Sequence, residues 1–281
     1  MDAHFDEISS RLLSPRLWKG FGSPTSMNPT GSSFQTPSGN PAFGVFDDFF
    51  TFNATTLVGP YANLLAAGCT AALAADTATE KGVLAIATDA DVANEDAVVK
   101  WGGTASAPFF LANNDLAFEC RLSVSSIVAA KWSYAVGLGE ASMIAADSLF
   151  ADGGALADKN FVGFNHLVAE GAAIDAAYKA DGQAYQDGAT KTKLNALHNA
   201  VASTYVKLGF RYRAAPKSLE FYVNGRLAGS ASSPARLTAS ELDAVTFPDD
   251  VFLAPFIGIK TVATGTPLTI NIDWLACAQY E

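Results

Sequence analysis

The run Glu241-Leu242-Asp243-Ala244-Val245-Thr246 holds the residues best spaced for catalysis. On a β-strand, carboxylates at alternate positions share one face, and an E-x-D-x-x-E run supplies nucleophile, orienting group and acid for cleaving a glycosidic bond. Here the acid's position is Thr246, with Pro248 close behind. Nothing in the run then protonates a leaving oxygen. Thr238-Ala239-Ser240-Glu241 also has the form of a helix capping box, which accounts for Glu241 without chemistry. His4, His166 and His198 are isolated, with no partner at the spacing of a metal site or a triad. No nucleophile elbow, zinc-protease run or phosphate loop occurs, so no catalytic residue is assigned and no enzyme is expected.

Oxygen-rich clusters are the other chemical feature: Asp89 with Asp91, Asn113-Asn114-Asp115, and Asp249-Asp250. Each could offer oxygen ligands to Ca²⁺, the one cofactor the sequence leaves open. Each is equally an ordinary turn, because Asx side chains bond their own backbone. Tyr178 and Tyr185 could stack on sugars, or serve as structural strand-end tyrosines. Cys69, Cys120 and Cys277 have neither disulfide nor zinc spacing and read as reduced core thiols.

The elements that must position these groups are strands. Leu116, Phe118, Cys120, Leu122 and Val124 alternate with Ala117, Glu119, Arg121 and Ser123, which predicts a strand with a polar outer face. Trp132–Leu138, Phe161–Phe164, Ala172–Tyr178 and Val206–Arg213 continue the pattern. Lys179-Ala180-Asp181-Gly182 reads as a hairpin turn. Leu219–Val223 runs into Asn224-Gly225, the strongest short hairpin signal, and Leu268-Ile270-Ile272-Trp274-Ala276 reads as one long closing strand. Asp6–Leu13 and the capped stretch after Thr238 predict short helices, and 60–78 fits a helix by composition without excluding other structure. Hydrophobic residues at 49% and charged ones at 16% support a large apolar core.

Residues 1–45 read as an extended N-terminal arm rich in Gly, Pro, Ser, Thr and Asn, and 46–281 as the sandwich. Phe21, Phe34 and Phe43 are the arm's candidate anchors to a neighbouring surface. The arm's acids and bases balance, so the whole net charge of −10 resides in the body. That charge argues against nucleic acid and anionic membrane as partners. The acidic N-terminus does not read as a secretory signal, and no apolar run reaches the length of a membrane helix.

Leu219-Glu220-Phe221-Tyr222-Val223-Asn224-Gly225 after the Val206–Arg213 strand resembles the body hairpin of concanavalin-A-like and laminin-G-like sandwiches. The ending Asn271–Gln279 resembles their last strand. The resemblance implies an all-β, jelly-roll antiparallel sandwich. Phe118–Ser126, Ala157–Phe164, Tyr178–Gly182, Tyr205–Phe210 and Thr246–Asp250 together resemble structural proteins of tailed bacteriophages, across roughly 46–281. This second resemblance implies a non-enzymatic virion protein made in the host cytoplasm. Its first form is a capsid decoration or cement protein on the outer capsid surface, bound to the major capsid protein and to copies of itself as a homotrimer. Its alternative is a glycan-binding head-fibre or tail-fibre module contacting the host surface.

Overall fold

The computed structural model describes residues 13–14, 16–18, 32–35, 41–49, 61–74, 82–89, 92–128, 130–145, 149–151, 154, 156–242, 245–265 and 267–280. In chain order the strands are β1 (Ser32–Gln35), β2 (Pro41–Asp47), β3 (Tyr61–Leu65), β4 (Thr70–Leu73), β5 (Leu84–Ala87) and β6 (Asp96–Trp101). Next come β7 (Phe109–Phe110), β8 (Asp115–Val124), β9 (Trp132–Gly139), β10 (Phe161–His166), β11 (Ala173–Lys179) and β12 (His198–Asn199). The last are β13 (Val206–Arg213), β14 (Ser218–Val223), β15 (Arg226–Leu227), β16 (Arg236–Thr238), β17 (Phe252–Thr261) and β18 (Thr269–Tyr280).

They form two antiparallel sheets. The first runs β1-β2-β18-β8-β13-β14-β15, with β5 and β4 added beside β18 and β16 beside β14. The second runs β12-β11-β10-β9-β17-β6-β3, with β7 on β17. The all-β sandwich expected from the alternation is therefore the fold. Its core lies between the sheets, where Phe118, Phe210 and Phe221 of the first face Tyr134, Val136 and Phe164 of the second. Phe118 and Phe210 stack at 5.2 Å between centroids, and Phe164 meets Phe221 edge-on at 5.4 Å. Offset and edge geometries of this kind add about 0.5–1.5 kcal/mol per pair beyond the area they bury. The Asn224-Gly225 turn forms as read: both residues take positive φ (49° and 75°), and β14 returns as β15.

Several expectations are corrected. Thr238–Glu241 closes a hydrogen-bonded turn after β16 rather than opening a helix, because Thr238 is still paired to Ser218. Residues 61–65 and 70–73 are strands, since β3 finds β6 and β4 finds β5. The described residues contain two 3₁₀ turns, Ala141–Ile144 and Thr192–Leu194, and no helix long and apolar enough to cross a membrane. Most of Asp6–Leu13 lies outside the described residues.

The closing strand changes phase. A register shift between Ile272 and Trp274 moves Trp274 and Ala276 to the outer face, while Leu275 and Cys277 take the core side. Nor is that outer face polar surface, because Leu13, Ser14, Leu17 and Trp18 cover it and bury Ala117 and Glu119. Residues 41–45, read as the end of the arm, lie in β2: Phe43, Gly44 and Val45 pair with β18, and Val45 is in the core.

Candidate functional site

Glu241 is engaged as a structural anion. Its carboxylate pairs with Lys193 and accepts from the Thr238 backbone N–H and hydroxyl, 2.9 Å each. These donors, Lys193 first, pull its pKa to about 2, so Glu241 is ionised and supplies no proton at neutral pH. Asp243 lies outside the described residues. His166 is buried, its Nδ1 2.9 Å from the Ala173 carbonyl, with its ring against Trp132 and Tyr134. Burial lowers the pKa of both His166 and His198. His4 lies outside the described residues.

Within the Asx clusters Asn114 makes a local turn contact, while Asp115 and Asp249 are engaged by partners distant in sequence. Asp115 accepts from the Ala214 N–H at 2.9 Å, Asn114 donates to the Phe110 carbonyl at 2.8 Å, and Asp249 pairs with Lys217 at 2.5 Å. Asp89 packs against Gly68, and Asp91 lies outside the described residues. Among the described residues no group of three or more Asp, Glu, His or Cys side chains could hold a metal ion. All three cysteines are free and buried.

Tyr178 and Tyr185 are placed as structural tyrosines and not presented for sugar stacking. Tyr178 is a core residue whose hydroxyl donates to the Glu241 carbonyl at 3.3 Å, and the Tyr185 hydroxyl is buried. Among the described residues, the large exposed aromatics are Phe43 and Phe252. β7 pairs with β17 so that Phe110 lies directly opposite Phe252, and their rings meet at 4.9 Å with a 36° tilt. Phe252 is 60% exposed and Phe110 half-buried. Their neighbours Phe109 and Leu253 point the other way, into the core, because strand residues alternate. The pair thus stands on the outer face of the second sheet. Ala254 pairs with Gly139, so Phe252 lies two residues beyond the end of β9.

Two amide side chains fix the backbone of Phe110. The Phe110 N–H donates to Gln279 Oε1 at 2.9 Å, Asn114 holds the Phe110 carbonyl, and Asn113 stands exposed at the turn. The structure therefore brings two sequence-predicted clusters, Asn113–Asp115 and Asp249–Asp250, to the strands that carry the aromatic pair. Of the three phenylalanines read as candidate arm anchors, Phe43 is 44% exposed at the same end. It packs on Phe109 at 5.4 Å and Trp101 at 6.3 Å, opposite Gln279 in the β2–β18 register. Phe34 lies on β1, and Phe21 lies outside the described residues. Chemically, this end offers the exposed Phe252 ring against half-buried Phe110, with amide side chains held at the Phe110 backbone.

No known family's sequence pattern matches the chain, and no curated protein matches it. Solved structures do match. A mutant of the Emp46p carbohydrate recognition domain aligns with TM-score 0.52 and 10% identity, covering 82% of this chain and 93% of that one. An endo-1,3-beta-glucanase from Streptomyces sioyaensis aligns with TM-score 0.51 and 14% identity, covering 84% and 95%. Peanut lectin aligns with TM-score 0.50 and 12% identity, covering 85% and 97%. At these identities the likeness is one of fold: the chain has the lectin-like, concanavalin-A-like jelly-roll sandwich.

Proposed function

We propose that this chain is a non-catalytic glycan-binding sandwich, serving as a head-fibre or tail-fibre module of a bacteriophage virion. The observation that carries the reading is the Phe110–Phe252 pair, exposed at Phe252, held by β7 and β17, with Asn114 and Gln279 bonded to the Phe110 backbone. Such a ring pair on a sandwich whose fold relatives include lectins suits stacking against a sugar ring. Binding rather than hydrolysis is favoured by Glu241, whose carboxylate is occupied by Lys193 and Thr238. The test is a glycan array probed with the full chain and with Phe252→Ala, with and without chelator. Binding by the full chain and its loss in the variant support the reading. Silence of the full chain counts against it.

A second reading, decoration of a capsid, rests on the N-terminal region. β1 is a terminal strand of the first sheet, with Phe43 exposed on the neighbouring β2. A terminal strand offers backbone groups to a partner. In this reading the partners are the major capsid protein and further copies of this chain in a trimer, on the outer surface of the head. Deleting residues 1–45 does not test it, because that removes most of β2 from the sheet and Val45 from the core. Co-sedimentation of capsids with the full chain and with Phe43→Ala does. Capsid binding that the variant loses supports decoration, and no co-sedimentation of the full chain excludes it.

A further inference from the structure

The outer face of the first sheet holds a recognition site built for one short segment of this chain. Glu119, 1% exposed, stands at its centre. The Ser14 backbone N–H and the Trp18 indole N–H donate to Glu119 Oε2, each at 2.9 Å, and the Ser14 hydroxyl donates to Oε1. Two glycines give the segment room. A Cβ on Gly209, the cross-strand neighbour of Glu119, would lie 2.4 Å from Leu17 Cδ1, and one on Gly225 would lie 2.8 Å from Ser14 Oγ. Leu17 and Trp18 complete an apolar cluster with Phe46, Tyr222 and Trp274. The segment itself is a single turn, closed by the Trp18 N–H donating to the Ser14 carbonyl at 3.1 Å. Carboxylate, glycine floor and aromatic wall match it group for group.

We infer that this groove is a self-recognition site that also takes Leu13–Trp18 of a second copy, so that two chains exchange their N-terminal segments. A site that reads a segment of its own sequence reads the same segment on an identical chain, and a reciprocal exchange closes with two-fold symmetry. Reach allows it, since residues 19–31 between Trp18 and β1 can span at most about 43–47 Å. The intramolecular segment competes at an effective concentration on the order of millimolar, so exchange belongs to crowded, symmetric assemblies.

Two full-length variants separate trans from cis seating. Gly209→Leu fills the place of Leu17 but keeps the segment. Leu17→Asp with Trp18→Ala spoils the segment but keeps the groove. Native mass spectrometry of each alone should show monomer, and their mixture at about 100 μM should show a 1:1 complex. Adding Glu119→Ala to the groove-bearing chain should weaken that complex at least tenfold. A mixture of two folded variants that stays monomeric overturns the inference. If Gly209→Leu loses its near-ultraviolet circular dichroism, a labelled peptide of residues 11–19 is titrated into the Leu17→Asp/Trp18→Ala chain instead. Saturable binding supports the inference, and none overturns it.

Discussion

Glu119 shows how much one side chain can depend on partners far away in sequence. It is buried and its pKa is raised, chiefly by loss of water, with Ser14 and Trp18 supplying the compensating hydrogen bonds. Replacing it with alanine leaves the Ser14 N–H and the indole N–H without their acceptor. The variant should lose roughly 1–3 kcal/mol, read from urea midpoints. Glu170 gives a pH signature. Burial pushes its pKa to about 7, and the charges of Asp175 and Asp187 add to the shift. The folded state therefore holds a proton that the unfolded state has released above about 4.5. Its stabilising contribution is full below that pH and is lost as pH rises through about 7. Glu170→Gln should flatten the fall in Tm between pH 5 and 8, and an unchanged slope would show that other groups set it. The alternation at Leu116–Val124 correctly put Glu119 on the outer face. It could not show that face covered, because the cover arrives from residues 13–18.

At the scale of elements, regular alternation was legible and its interruptions were not. β8, β13 and β14 carry the period-two pattern in plain view, and Asn224-Gly225 announces its own turn. Gly225→Ala should cost about 1 kcal/mol or more in urea unfolding, since the residue holds a φ of 75° and faces Ser14. The bulge in β18 escaped the reading, because Ile272-Asp273-Trp274 alternates perfectly in letters while the backbone slips a register. Thr238–Glu241 misled in the other direction. The pair makes the hydrogen bond of a capping box, yet β14 holds Thr238 in a strand and the chain only turns.

For the whole molecule, the sandwich was legible because its core is written locally, strand by strand. Leu208→Ala, in the middle of that core, should cost about 2–5 kcal/mol by thermal or urea unfolding. The candidate site was not legible, because Phe110 and Phe252 are brought together only by the pairing of β7 with β17. Phe252 sits in the apolar run Val251–Ile257, where no alternation of polarity marks which residues face out. The oxygen clusters beside it were visible, but their neighbours were not. What the molecule presents is a lectin-like scaffold carrying the Phe110–Phe252 pair, exposed at Phe252, and its proposed work depends on that pair. The direct measurement is calorimetric titration of the strongest array glycan into the full chain, Phe252→Ala and Glu241→Gln. Saturable binding by the full chain, a loss of at least about tenfold (1.4 kcal/mol) in Phe252→Ala and an intact glycan afterwards are the predicted results. Undiminished binding by Phe252→Ala, or cleavage of the glycan that Glu241→Gln abolishes, would contradict the account.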